Sequence, residues 1–234
     1  MKIYSCFTPS HEVLYRDYFL AALPDEFEPH VAPLDISGSG DYGTQDFIQS
    51  LETKLEMVLE SIAENSGSAI LWSDVDVVFT RESVPLLKRL LEDRDTDIWF
   101  QKERTGDDRE VNGGLILMRC NEAVEWLYRD ALSVMRSTPG YNDQDAINQI
   151  LGRGAELSWS YLPFRFAARS HGWPPRRDFV AYHANYTLGA DGVGQKIRQF
   201  GKLQRLLRWG PIYWQYVHMR ETLRRSWNER RKDR

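Results

Sequence analysis

Short apolar runs typical of strands alternate along this chain with longer runs of helical periodicity, and this alternation constrains the fold more than any other feature. The runs at Lys2–Phe7 and Pro29–Leu34 precede a helix that Thr44 can cap. The apolar residues of that helix recur at helical spacing and are Phe47, Leu51, Leu55, Val58 and Ile62. Strands that alternate with helices predict a largely parallel sheet covered by helices on both faces.

The remaining elements continue this alternation. Further strands are predicted at Ala69–Phe79, Asp97–Phe100, Gly114–Met118, Glu156–Leu162 and Phe179–His183. Helices are predicted at Ser83–Glu92, at Asn121–Arg136, at Asn142–Leu151 and, on either side of Gly210-Pro211, at the end of the chain. We therefore expect one α/β domain with a Rossmann-like sheet over residues 1–200 and a helical extension over residues 201–234.

Charge is distributed unevenly along the 234 residues. The whole chain carries −4, whereas residues 201–234 contain ten Lys or Arg against three Asp or Glu, or +7, which leaves −11 on the first 200 residues. An acidic main domain argues against nucleic acid as a partner. The basic and aromatic C-terminal extension has two interpretations: a helix packed on the domain with a solvated basic face, or a contact surface for an anionic membrane or partner.

The sequence contains no apolar run of about eighteen residues and no recognisable secretory leader. We therefore expect a cytoplasmic protein, with peripheral contact to a membrane through the C-terminal extension as a further expectation. Cys6 and Cys120 lie in apolar segments, which predicts reduced thiols rather than a disulfide.

Two carboxylates interrupt the apolar run "AILWSDVDVVF". Alternate residues of a strand face the same side, so Asp74 and Asp76 are expected to point together. Buried charges are costly without a partner, and a pair of carboxylates favours a hard divalent cation that also binds phosphate oxygens. The alternative is that both residues are solvated at the end of a strand, because a single Asp-x-Asp pair is a common pattern.

Four motifs in a fixed order narrow this interpretation. "LWSDVDVVF", "VNGGLILMRCN", "NDQDAIN" and "YHANYTLG" follow one another between Lys2 and Lys196. In this order they resemble the A-type-fold glycosyltransferases of the nucleotide-diphospho-sugar transferase group, which is similar to the glycogenin-like and lipopolysaccharide galactosyltransferase-like enzymes. The resemblance implies an A-type glycosyltransferase domain, with a nucleoside-diphosphate sugar as donor and Mn²⁺ or Mg²⁺ as cofactor.

The resemblance also implies where the metal and the nucleotide bind. Asp74 and Asp76 become metal ligands, with Asp74 also approaching the nucleotide ribose. His183 becomes the third protein ligand, a role that suits a neutral imidazole; otherwise it is a core histidine. Thr8, at the end of the first strand, is implied to contact the base or ribose.

Further residues are implied to bind the donor sugar. Asn112, Gly113 and Gly114, expected in a turn before a strand, would approach the sugar closely because glycine leaves room for it. Asp143 would hold sugar hydroxyls and Gln144 would lie near the anomeric carbon. A carboxylate at a helix N-terminus is also favourable without any ligand, so a capping role for Asp143 is the alternative.

The diphosphate site is where this chain departs from the spacing of the family pattern. The family carries a lysine shortly after the late histidine, with a glycine between, and this chain has Gly189 and Lys196 at a longer spacing. Arg198 or the "PPRRD" segment could take the place of Lys196. Lys54, on the long helix, could face the same pocket, although a surface position is the simpler expectation for a lysine.

These residues together predict a metal-dependent transfer of a hexose or pentose from a nucleotide sugar to a hydroxyl of a glycan or lipid-linked acceptor. The resemblance is to retaining enzymes, in which the departing phosphate deprotonates the acceptor. Two alternatives stay open. A non-catalytic module would bind sugar nucleotides or an acidic partner without turnover. A haloacid-dehalogenase-like phosphatase would use "DVDVV" and "GDD" at Gly106–Asp108, but too few residues separate these motifs for such a core.

Overall fold

A computed structural model describes residues 1–38, 41, 43–106 and 110–232. Asp107 and Asp108 of the "GDD" motif therefore lie outside the described residues. The strands are β1 (Lys2–Phe7), β2 (Glu28–Pro33), β3 (Ala69–Ser73), β4 (Val77–Phe79), β5 (Ile98–Lys102), β6 (Val111–Arg119), β7 (Trp159–Tyr161), β8 (Phe166–Ala168) and β9 (Ala181–His183). The α-helices are α1 (Glu12–Leu14), α2 (Gln45–Glu64), α3 (Ser83–Leu90), α4 (Glu122–Ser137), α5 (Asp143–Gly152) and α6 (Gly192–Lys232).

Six strands form the central sheet in the order β2-β1-β3-β6-β5-β7. Every neighbouring pair is parallel except those that involve β6, which runs antiparallel to β3 and to β5. The predicted α/β class with a mostly parallel sheet is therefore confirmed. The strands β4, β9 and β8 form a second, smaller sheet.

Alternate residues of the central strands feed two hydrophobic cores, one on each face of the sheet. In β3, Leu71 packs in one core with Ile3, whereas Trp72 packs in the other with Tyr4. All of these side chains are buried. The strands read as continuous apolar runs because helices cover both faces.

The predicted strand Ala69–Phe79 is in fact two strands. β3 ends at Ser73 in the central sheet, and β4 begins at Val77 in the smaller sheet. The backbone N–H of Asp74 donates to the carbonyl of Gly114, and the carbonyl of Asp76 accepts from Ala184 N–H. The two aspartates therefore lie where the chain passes from one sheet to the other, so strand alternation alone does not account for their convergence.

The segment Asn112–Gly114 lies inside β6 rather than in a turn before it. Phe100 pairs with Ile116, but the next residue of β5, Gln101, pairs with Asn112. This register shift leaves extra residues on β6, and such a bulge locally re-aims a strand. The predicted turn is therefore a bulged strand.

Three helices begin where the sequence predicts, and each start is capped by a side chain. The side chain of Thr44 accepts from Phe47 N–H at the start of α2, and the side chain of Asn121 accepts from Val124 N–H at the start of α4. Asn142 and Asp145 form a capping box at the start of α5. Each cap satisfies backbone donors that the first turn of a helix leaves free.

Helix α6 contains the predicted break, because Gly210 has a φ of 71°. Residues on both sides of the break are buried in the core, namely Phe200, Leu203, Leu206, Trp214 and Val217. The division of the chain at residue 200 stays a prediction. No helix in the described part of the chain is long and apolar enough to cross a membrane.

Candidate active site

A cleft of about 1080 Å³ opens where β3 ends. The start of β6, the N-terminus of α5, the end of β9 and the first turns of α6 form its walls. The cleft therefore lies beyond the carboxyl end of β3, where open α/β sheets bind ligands. The predicted site residues that line it are Asp74, Asp76, Asn112, Gly113, Gly114, Asp143, Gln144, His183 and Lys196.

Asp76 is buried between two basic side chains. Its Oδ2 lies 2.8 Å from Lys196 Nζ, and its Oδ1 lies 3.2 Å from His183 Nε2. Burial alone would raise the pKa of Asp76, but the neighbouring charge of Lys196, with His183 as a second contact, outweighs burial and holds the pKa well below its usual value. Asp76 is therefore a carboxylate at neutral pH.

The hydrogen bond of His183 to Gln101 determines which ring nitrogen is free. Gln101 Nε2 donates to the carbonyls of Phe166 and Ala167, so its Oε1 must accept from His183 Nδ1 at 2.7 Å. In the neutral ring, Nε2 then carries a lone pair directed at Asp76. This is how proteins commonly orient a histidine that binds a metal.

The donor set fits a divalent cation. Asp74, Asp76 and His183 each offer one ligand atom, and these atoms lie within 4.8 Å of one another. Asp76 Oδ1 is buried without a hydrogen-bond donor from the described residues, and it faces the Nε2 lone pair. Two acceptors in contact repel each other unless a cation or a proton lies between them. Two carboxylate oxygens and one imidazole suit Mn²⁺ or Mg²⁺ better than a soft metal.

Lys54 is buried in the site, so the expected surface position is wrong. Its Nζ lies 3.0 Å from Asp74 Oδ1 and 3.0 Å from Asp143 Oδ2, and it donates to the carbonyl of Gly113 at 2.9 Å. Burial would lower the pKa of Lys54, but Asp143 and Asp74 outweigh burial and raise it. One ammonium group thus joins the candidate metal ligand Asp74 to Asp143, which is predicted to hold the sugar.

The positive charge expected beside the aspartates is therefore supplied in part by the protein itself. Lys54 pairs with Asp74, and Lys196 pairs with Asp76. The side chain of Asp74 is 37% exposed, which leaves it open to the cleft, whereas that of Asp76 is 6% exposed. The two residues of the Asp-x-Asp pair thus have different environments.

The bulged start of β6 is joined to α5 by side-chain amides. Asn112 Nδ2 donates to Gln144 Oε1 at 3.2 Å and to Glu103 Oε2 at 2.6 Å, while Asn112 Oδ1 accepts from Gly114 N–H. Asn148 exchanges two hydrogen bonds with the backbone of Val111. These contacts fix the polar groups that face the cleft.

Gly114 has no room for a side chain. A Cβ at this position would lie 2.4 Å from His183 Cε1 and 2.9 Å from Asp74 Oδ2. At Gly113 a Cβ would lie 3.0 Å from Asp143 Oδ2. The two glycines allow the backbone of β6 to approach the carboxylates and the histidine closely.

Thr8 lies in a smaller pocket of about 120 Å³ that adjoins the cleft. Its Oγ1 contacts Ser10 Oγ at 3.0 Å and His11 Nδ1 at 3.1 Å. The residues that this pocket shares with the cleft are His11, Phe47, Leu51, Lys54, Asp74, Asp76 and Lys196. Its other lining residues, besides Thr8, are Cys6, Phe7, Leu34, Ser50 and Val75. The predicted nucleotide contact is thus next to the predicted metal ligands.

The candidates for the diphosphate site separate in the structure. Lys196 reaches the cleft, whereas Arg198 forms an exposed ion pair with Asp191. Arg176 of the "PPRRD" segment pairs with Asp178 on the surface. Gly189 has a φ of 65° and is not among the described residues that line the cleft.

Sequence reasoning missed Gln101, Glu103 and His11, which have no distinctive pattern around them. Lys54 was detectable, because it follows Leu51 by three residues and precedes Val58 by four, on the apolar face of α2. A lysine on the buried face of a helix requires acidic partners. Cys6 and Cys120 are both free, as expected.

A family model described as nucleotide-diphospho-sugar transferase matches residues 18–206. No curated protein sequence shows significant similarity to the chain. A solved structure of a glycosyltransferase involved in the glycosylation of the major capsid of PBCV-1 is similar, with a TM-score of 0.58 and 11% identity over 84% of this chain and 97% of that one.

Solved structures of two further glycosyltransferases, GlyE and LgtC, are similar to a comparable degree. GlyE of Streptococcus pneumoniae TIGR4 has a TM-score of 0.53 and 10% identity over 86% of this chain and 63% of its own length. An active-site mutant of LgtC has a TM-score of 0.52 and 17% identity over 86% of this chain and 96% of that one. A further structure, of galactosyltransferase LgtC with donor and acceptor sugar analogues, has a TM-score of 0.50. At these identities the likeness concerns the fold.

Proposed function

The chain belongs to the nucleotide-diphospho-sugar transferase family, and on that premise we propose that it transfers a hexose or pentose from a nucleoside-diphosphate sugar to an acceptor hydroxyl, in a metal-dependent reaction with retention of configuration. One observation carries the proposal. Asp74, Asp76 and the Nε2 of His183 converge beside Gly114. Lys196 forms an ion pair with Asp76 in the same cluster.

Three groups of residues in the cleft are proposed to bind the three parts of the donor, namely the nucleoside, the diphosphate and the sugar. Thr8 and the small pocket receive the nucleoside. Asp74, Asp76 and His183 would hold Mn²⁺ or Mg²⁺, which when bound neutralises charge on the diphosphate. Asn112, Gly113, Gly114, Asp143 and Gln144 face the sugar.

Lys196 is the proposed phosphate-binding lysine. Its side chain is 18% exposed and its ammonium already lies 2.8 Å from a buried carboxylate at the cleft wall. Cleavage of the bond to the anomeric carbon develops negative charge on the leaving diphosphate, and a nearby cation stabilises that charge. Gly189 is proposed to belong to the same phosphate-binding segment. Its φ of 65° lies in the left-handed region, just before α6 begins.

Retention is proposed because Asp143, the carboxylate among the proposed sugar-binding residues, is poorly suited to act as a base. Asp143 is ion-paired with Lys54 and also accepts from Gln144 N–H. A neutral amide, Gln144, stands beside it. The leaving diphosphate is then the base that removes the acceptor proton. Product configuration determined by NMR tests this step, and an inverted product would instead point to Glu103 as the base.

The acceptor is proposed to be a glycan or a lipid-linked saccharide. The LgtC structure with donor and acceptor sugar analogues provides a parallel from the same fold. Peripheral contact with a membrane through α6 belongs to the same proposal, because a lipid-linked acceptor is presented at a membrane surface.

The decisive experiment combines binding with turnover. Nucleoside diphosphates and their sugars are screened by thermal shift with and without Mn²⁺, since a ligand of the folded state raises its melting temperature. The best donor is then assayed for hydrolysis and transfer with the wild type and Asp76→Ala, and we expect Asp76→Ala to abolish both. Arg198→Ala, which changes an exposed ion pair, is the control and keeps wild-type turnover.

Two results would contradict the proposal. Unchanged metal-dependent turnover in Asp76→Ala would remove the metal assignment. Metal-linked nucleotide binding without turnover of any donor or acceptor would favour a binding module instead.

A further inference from the structure

The C-terminal half of α6 exposes a row of large apolar side chains. Ile212 is 83% exposed, Leu223 64% and Trp227 66%. Tyr216 is 51% exposed and Met219 57%. Single exposed apolar residues are normal on protein surfaces, but contiguous groups mark interaction sites. These five residues are called the apolar stripe.

The spacing of the apolar stripe places it on one side of the helix. Steps of four, three, four and four residues separate its members, which keeps them within one narrow arc at about 100° per residue. The core is contacted by different residues, Trp214 and Val217, which are 8% and 3% exposed. Packing on the domain therefore explains Trp214 and Val217 and leaves the apolar stripe unexplained.

Arginines accompany the apolar stripe. Arg220 and Arg224 lie on the same helix between its members, and Arg208 precedes the break at Gly210 beside the exposed Trp209. The segment 201–234 carries +7, in contrast to −11 on the rest of the chain. A face that combines aromatic and aliphatic side chains with arginines complements an apolar surface that carries negative charge.

We propose that the apolar stripe lies in the headgroup region of an anionic lipid bilayer, with the helix parallel to the membrane plane. An amphipathic helix with Trp and Leu on one side and arginines around it binds such a surface by apolar burial and by attraction to anionic lipid. Trp227 and Tyr216 have rings suited to this interface.

Two other occupants fit less well. A second copy of the chain would bring two segments of +7 together, which disfavours association through this face. A nucleic acid would satisfy the arginines but would leave the apolar stripe in water. The same arginines and the modest apolar content disfavour insertion across a membrane.

This inference deepens the proposed function and rests on it only for the presence of a membrane-borne acceptor. The surface predicts lipid binding whether or not the chain is catalytically active. A lipid-linked acceptor would then be concentrated in two dimensions near the cleft, so membrane attachment would lower the apparent KM for such an acceptor without altering donor hydrolysis.

Vesicle co-sedimentation of the full chain tests the proposal. The probes are phosphatidylcholine vesicles with and without phosphatidylglycerol, at low and high salt. We expect binding to anionic vesicles to exceed binding to neutral ones at least tenfold and to fall with salt. The variant Ile212→Ser/Leu223→Ser/Trp227→Ser should lose at least tenfold of that binding. Trp126→Ser, in which an equally exposed tryptophan of α4 is removed, should bind like the wild type.

The outcomes separate the two proposals. Thermal shift by nucleotide with Mn²⁺ is measured for every variant, so a failure of donor binding would not be confused with a failure of lipid binding. Equal binding of the wild type to neutral and anionic vesicles, or equal loss in Trp126→Ser, would overturn the membrane assignment. Self-association of the wild type that the triple variant abolishes, measured by sedimentation velocity, would assign the apolar stripe to a second copy.

Discussion

The cleft and the C-terminal half of α6 depart from the usual burial pattern in opposite directions. The cleft buries charge, with Lys54, Asp76 and Asp143 each under one tenth exposed. The helix exposes apolar side chains, as Ile212 and Trp227 illustrate. Proteins usually bury apolar groups and solvate charges, so both regions run against the trend of the rest of the fold.

The two regions differ in whether the chain itself offsets the unfavourable burial or exposure. In the cleft the chain supplies its own compensation, because each buried carboxylate has a lysine at 3.0 Å or less. The described part of the chain supplies no comparable cover for the apolar stripe. Removing an ion-pair partner in the cleft should therefore lower the stability of the fold strongly. Removing a side chain from the apolar stripe should change the stability very little.

The largest effect is expected from Lys54→Met, which removes the charge that joins Asp74 to Asp143. Breaking a buried ion pair by removing one partner costs about 3–5 kcal/mol, because the remaining charge stays buried. We expect the free energy of unfolding, measured by urea denaturation with EDTA, to fall by about 3 kcal/mol, since Asp74 is partly exposed. Donor turnover should fall as well, because the positions of both carboxylates are lost.

Two comparisons sharpen this prediction. Lys88→Met, at an exposed position of α3, should change the free energy of unfolding by less than about 0.5 kcal/mol. Asp143→Asn should recover part of the loss when it is added to Lys54→Met, because it removes one of the unpaired charges. A Lys54→Met protein as stable as the wild type would contradict the prediction, because it would mean that water solvates the carboxylates of Asp74 and Asp143.

The next effect concerns His11, whose imidazole is a base held neutral at the cleft. Burial, and then the charge of Lys196, lower the pKa of His11 from 6.5 to about 4. Between these values the unfolded chain binds a proton that the folded chain does not, so stability present above pH 6.5 is lost as the pH falls toward 4. The loss amounts to about 3 kcal/mol at most, from 1.36 kcal/mol per pKa unit.

The measurement is the free energy of unfolding as a function of pH, in EDTA, for the wild type and His11→Asn. The Asn variant should have a shallower slope between pH 6.5 and pH 4, and the two curves should run parallel above pH 7. Identical slopes would show that carboxylates alone determine the acid sensitivity.

Much of the fold was predictable because its signals are local. The spacing of apolar residues in α2 and the caps at Thr44, Asn121 and Asn142 depend on residues a few positions apart. The order of the four motifs along the sequence was sufficient to indicate the family. The alternation of strands and helices predicted the parallel pairs of the central sheet, but it did not predict the antiparallel β6 or the antiparallel pairing of β4 with β9.

What could not be predicted depends on contacts between distant segments. The division of the run at Ala69–Phe79 into two strands results from pairing with Gly114 and with Ala184, far away in the sequence. The tautomer of His183 depends on Gln101. The apolar stripe could not be separated from Trp214 and Val217 in the sequence, because all of them lie on one basic helix and only packing against the core distinguishes the two faces.

The smallest effect is expected where an apolar residue is removed from the apolar stripe. Ile212→Ala should change the free energy of unfolding by less than about 0.5 kcal/mol, because an 83% exposed side chain contributes little to packing. Val217→Ala, only five residues away on the core side, should cost about 2 kcal/mol from lost burial and the cavity that remains. Both values come from urea denaturation of the free protein. A large loss in Ile212→Ala would mean that this face is covered within the folded chain, and the membrane contact would then lose its physical basis.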